Sequence, residues 1–102
     1  MQENLWFATD RDTAAVVTAT KVGEPGSKNV ITSIHAGYTD ATQTGSVTIS
    51  IGAVDVITLD FIGSIEINGV GIEGGAGQAV AAELSAGGAG VAGSVLICGF
   101  VK

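Results

Sequence analysis

The sequence predicts an all-β domain, a sandwich, jelly roll or barrel of about seven or eight short strands. Three observations carry this. Runs of apolar and polar residues alternate with period two, most cleanly over Ser46 to Ile51, where Val47, Ile49 and Ile51 face one way and Ser46, Thr48 and Ser50 the other. Glycine-rich turn signals separate the runs, drawing on 16 glycines in 102 residues. Helix-period stretches are nearly absent. The one ambiguous segment, Gln78 to Leu84, has the alanine content of a helix but alternates Val80, Ala82 and Leu84 between glycine-bearing flanks, which favours a strand.

Taken in order, residues 1–12 read as a polar N-terminal arm interrupted by Leu5-Trp6-Phe7, and residues 13–102 as the β domain. The arm's apolar trio reads either as a local cap on the fold or as an anchor on a partner or a neighbouring subunit, since aromatics are enriched in binding hot spots. Ala14 to Val22 is rich in Val and Thr, which suit a pleated surface. Glu24-Pro25-Gly26-Ser27 is a turn. Asn29 to Tyr38 alternates, with Val30, Thr32, Ile34, Ala36 and Tyr38 expected on one face and Ile31, Ser33, His35 and Gly37 on the other. Gly52-Ala53 has hairpin character between Ser46–Ile51 and a returning strand, Val54 to Ile62. Ser64 to Asn68 is a further run. Gly87-Gly88-Ala89-Gly90 turns the chain into the last strand, Gly93 to Val101.

That last strand is apolar on both faces: Val95, Ile97 and Val101 against Leu96, Cys98 and Phe100. In a two-layer sandwich one face meets water, so either the chain termini or another subunit covers the second apolar face; for subunit contact, Leu96, Cys98, Phe100, Ile31 and His35 are the expected interface. A charged fraction of only 14% fits either extra buried surface or an apolar count raised by Ala and Gly.

Several function classes are excluded. A net charge of −6, with only Arg11, Lys21, Lys28 and Lys102 basic, is wrong for nucleic acid and for an anionic membrane. No apolar stretch reaches the ~18 residues of a membrane helix, and the first residues lack the basic start of a signal peptide. One His and one Cys make no zinc site, and the carboxylates are dispersed, so no metal or cofactor is expected. Cys98 lies in an apolar run and reads as a packed thiol. Gly69-Val70-Gly71-Ile72-Glu73-Gly74 matches a dinucleotide fingerprint, but Glu73 would face the phosphates and too little chain follows; it reads as a turn. Ser33, His35 and Asp40 are the nearest approach to a triad, and neighbours on one strand seldom reach hydrogen-bond geometry. The domain is therefore expected not to be an enzyme.

The strand Lys28 to Tyr38, the hairpin Gly45 to Phe61, and the ending from Gly74 through the Gly-rich turn to Val95 resemble small tailed-phage structural proteins. The resemblance implies a jelly-roll-like sandwich, a homotrimer that decorates the capsid exterior as a cement protein, with the major capsid protein as partner and the virion as location after synthesis in the host cytoplasm. It brings no catalytic residues. The alternatives are a tail, spike or fibre adaptor, or a small glycan-binding β-sandwich module. Sugar sites pair exposed aromatics with polar groups, and Trp6 and Tyr38, besides the three Phe, are the aromatics available.

Overall fold

The computed structural model describes residues 4–102, and among them it contains eight strands and no helix. They are β1 (Asn4–Thr13), β2 (Val17–Lys21), β3 (Asn29–Tyr38), β4 (Thr44–Ile51), β5 (Val54–Ile62), β6 (Ser64–Glu73), β7 (Val80–Leu84) and β8 (Ala92–Val101). Two antiparallel four-stranded sheets stack face to face, in the orders β1-β8-β3-β6 and β2-β7-β4-β5. The expected all-β sandwich is the fold observed.

Alternation places the core. Val47 and Ile49 of β4, Val17 and Ala19 of β2, and Val80, Ala82 and Leu84 of β7 are buried from one sheet. Ile31, Ile34, Ala36, Val95 and Ile97 are buried from the other. Between the sheets, Tyr38 stacks on Phe61 with ring centroids 5.6 Å apart. Its hydroxyl donates to the Ser85 carbonyl at 2.7 Å. The Ser46 amide donates to Ser85 Oγ at 2.9 Å, so one serine ties β3 and β4 to the end of β7. At the other end the buried Asn29 donates from Nδ2 to the Val22 carbonyl at 3.1 Å, satisfying a polar group that burial would otherwise penalise.

Two sequence expectations change here. The segment set apart as an arm is an edge strand over its described part: Asn4 to Thr13 pair residue by residue with Val101 to Ala92. Residues 1–3 of the arm lie outside the described residues. The chain then crosses to the other sheet at Ala14, whose φ of 53° is unusual for a residue with a Cβ, and whose amide donates to the Val91 carbonyl.

The second change is in β3. The register shifts between Ile31 and Ser33, with Gly69, Val70 and Gly71 of β6 set against Thr32 alone. Against β8, Thr32 is the extra, bulged residue, since Ile31 and Ser33 pair with the adjacent Gly99 and Cys98, and this reverses the phase of β3. Ile31 therefore enters the core, while Val30 lies in register with Phe100 on the outer side. Ile31 is fully buried within the chain and cannot be an interface residue. The same bulge absorbs the glycine fingerprint: β6 runs on to Glu73, with Gly69 at φ 73°.

The Gly52-Ala53 connection is a two-residue hairpin with both residues at positive φ, 56° and 67°. Such turns suit Gly and Asn, and an L side chain there costs about 1 kcal/mol or more. Ala53→Gly or Ala53→Asn is therefore expected to raise stability by about 0.5–1 kcal/mol, read as a higher midpoint in urea unfolding.

Candidate functional site

The outward side of the β1-β8-β3-β6 sheet differs from an ordinary solvated face. Read across the strands, its rows are Leu5–Phe100–Val30–Glu73, Phe7–Cys98–Ser33–Asn68, Thr9–Leu96–His35–Glu66 and Arg11–Ser94–Gly37–Ser64. One end is apolar and carries two aromatic rings. Leu5 is 79% and Phe7 71% exposed, while Phe100, Cys98 and Leu96 are half-covered by their neighbours.

The other end is a shallow depression of about 370 Å³, walled by Thr9, His35, Glu66 and Leu96. Its floor is low because Ser94, Gly37 and Ser64 lie side by side in one row. A Cβ at Gly37 would come within 3.1 Å of the Ser64 side chain. Asn68 Nδ2 donates to Glu66 Oε1 at 2.9 Å and fixes that carboxylate. Its second oxygen lies 3.6 Å from His35 Nδ1, outside direct hydrogen-bond range, so both groups keep capacity for a ligand. Thr9 Oγ1 donates to the Val95 carbonyl at 2.9 Å and retains its acceptor lone pairs.

The residues singled out in the sequence divide between the two sides of this sheet. Leu5, Phe7, Leu96, Cys98, Phe100 and His35 share the outward face. Trp6 turns inward against the core and Gly99, leaving its buried Nε1 without a protein acceptor. Tyr38 is also inward, in its stack with Phe61. The aromatics available to a ligand on this face are thus Phe7 and Phe100 rather than Trp6 and Tyr38. Thr9, Glu66, Ser64 and Ser94 were missed, because they come from three strands whose adjacency no local pattern announces.

His35 has Glu66 beside it rather than Asp40. The Asp40 carboxylate is turned to its own loop, where the Thr42 amide and hydroxyl donate to it at 2.9 and 2.7 Å. Those bonds hold its pKa below the ordinary aspartate value. Among the described residues no three His, Cys, Asp or Glu side chains gather as metal ligands.

A larger cleft of about 610 Å³ crosses the other sheet at Thr44, Ser46, Asp60, Phe61, Ile62 and Ser85. Much of its polar lining already serves the fold, since Ser85 bonds Tyr38 and Ser46. The smaller depression is the better candidate because its polar groups are less fully used.

No family model matches the chain. No curated protein matches it either. Among solved structures it is similar to the CBM36-1 domain of a multidomain xylanase from the hindgut metagenome of Trinervitermes trinervoides, at 12% identity over 96% of this chain and 94% of that one, with a TM-score of 0.48. It is also similar to a carbohydrate-binding module CBM36 in complex with calcium and xylotriose, at 18% identity over 92% and 76% of the two chains, with a TM-score of 0.40. These are likenesses of architecture.

They correct the resemblance to phage decoration proteins, because both of these solved structures are carbohydrate-binding modules. Neither the major capsid protein as partner nor the trimer that came with it is retained. The physical reason is that the Gly-rich ending is not specific. Here it comprises the β6–β7 connection, the short strand β7, the Gly-rich β7–β8 connection and the start of β8, places that any sandwich gives to small residues.

Proposed function

We propose that this chain is a non-catalytic glycan-binding module that takes its ligand on the outward face of the β1-β8-β3-β6 sheet. The observation that carries the reading is the exposed Phe7 ring on the same face as the depression walled by Thr9, His35, Glu66 and Leu96. A sugar has apolar C–H faces and hydroxyl edges. The first pack on aromatic and aliphatic side chains, and the second exchange hydrogen bonds with carboxylate, imidazole and hydroxyl groups. A small number of placed polar groups beside an apolar platform is the general form of a small-ligand site. The serine and imidazole side chains supply no nucleophile–base–orienter relay, so binding is the chemistry this face supports.

The test is affinity electrophoresis against a panel of soluble neutral polysaccharides, followed by calorimetry with oligosaccharides of any that retard the protein. At least one is expected to bind. Phe7→Ala and His35→Ala are each expected to weaken it about tenfold, equivalent to ~1.4 kcal/mol. Asp60→Asn, in the other cleft, is expected to bind as the parent does. Absence of binding across the panel, or full affinity in both face variants, overturns the reading.

A further inference from the structure

β5 ends the second sheet, so one side of its backbone has no neighbouring strand. None of its residues is fully buried. Val54, Val56, Ile57 and Ile62 are all exposed, Ile57 at 40% and Ile62 at 66%. Ile57 shares the inward face of Leu59 and Phe61, yet it is only partly covered, since β5 barely meets β6, the edge strand of the facing sheet. Edge strands usually defend themselves with lysine, proline or a bulge. β5 has no lysine or proline, and its register shift lies near the hairpin, between Ile49 and Ser50, leaving Ile57 to Ile62 regular.

The charge along this side is of one sign. Residues 54–73 carry Asp55, Asp60, Glu66 and Glu73 and no lysine, arginine or histidine. Glu73 is already engaged by Lys102 at 2.9 Å and Lys28 at 3.6 Å, which hold its pKa below the ordinary glutamate value. Asp55 and Asp60 have no such cation among the described ion pairs.

We propose that β5 is a docking edge for an extended segment of another polypeptide, which adds as a fifth strand to the β2-β7-β4-β5 sheet and carries basic residues flanking an alternating apolar run. Strand addition satisfies the open backbone groups, and the guest's alternate side chains cover Ile57 and its neighbours. Basic flanks complement Asp55 and Asp60. A second copy is disfavoured at this edge, because pairing β5 with β5 gathers Asp55 and Asp60 of both chains on one seam between molecules that each carry a net charge of −6. The acids thus keep copies apart while leaving the edge open to a partner of opposite charge.

The test uses the full chain and a synthetic nine-residue alternating Val/Thr peptide with two lysines at each end, read by amide hydrogen exchange across residues 54–62. At a peptide concentration about ten times Kd, exchange of the regular part of β5 is expected to slow about tenfold. Two further probes, the same peptide N-methylated at alternate amides and a glutamate-flanked version, are expected to give no protection. Asp55→Lys with Asp60→Lys is expected to reverse the preference toward the glutamate-flanked peptide. Equal protection by the N-methylated probe, no protection by the lysine-flanked one, or self-association of the protein alone that protects the same amides would overturn the proposal.

Discussion

Gly99→Ala is expected to cost about 3 kcal/mol or more, a large share of the ~5–15 kcal/mol that holds a domain of this size together. Gly99 lies on β8 between Trp6 of β1 and Ile31 of β3, at the point where the sheet turns its inner side to the core. A Cβ added there would collide with the Val30 carbonyl oxygen and approach Cζ2 of Trp6 to 2.7 Å. The first neighbour is backbone within the β3–β8 ladder and cannot swing aside without breaking it. The second is an indole already pressed into the interior with its Nε1 unpaired. No flexible side-chain end is available to absorb the methyl group. Urea unfolding would show a large fall in midpoint, or no cooperative transition. Gly71→Ala is the control: a Cβ there meets nothing within 4 Å, and the change is expected to stay within about 0.5 kcal/mol. Equal stability of the two variants would mean that Trp6 does not pack as described.

The second large effect is expected at Ile97. It is fully buried at the centre of β8, in a row that runs Ala8–Ile97–Ile34–Ile67 across the sheet. Ile97→Ala removes methyl groups from a space that two rigid sheets hold open, so a cavity is left and the expected loss is about 2–5 kcal/mol. Leu5 is also apolar and also sits on this sheet, but 79% of it meets solvent. Leu5→Thr keeps a β-compatible side chain and is expected to change stability by no more than about 0.5 kcal/mol. Comparing the two midpoints separates the face that folds the protein from the face available for binding. A large loss in Leu5→Thr would place Leu5 in the stabilising core and weaken the case for the outward face as a ligand surface.

The alternating runs of β4 and β7 placed Val47, Ile49, Val80, Ala82 and Leu84 inward from the sequence alone, and all are buried. The glycine-marked turns at Gly52 and Gly90 likewise announced where the chain reverses, and both residues adopt positive φ. β8 disclosed that both of its faces are apolar. These features are local: side-chain period and backbone φ depend on a residue and its immediate neighbours.

What the tertiary structure decided is everything that depends on which strand lies beside which. Residues 4–13 show no clean alternation, and they form a strand because β8 offers an edge that pairs with ten of them. The reversal of Val30 and Ile31 comes from the irregularity at Thr32, which has no counterpart on β8 and faces three residues of β6. The candidate site gathers Thr9, Leu96, His35 and Glu66 into one row from four strands. Period two specifies which side of its own strand a residue takes, but it is blind to strand order and loses phase at every bulge. Pairing is settled only when the two sheets bury their common core, and with it the choice of which side chains share the outward face.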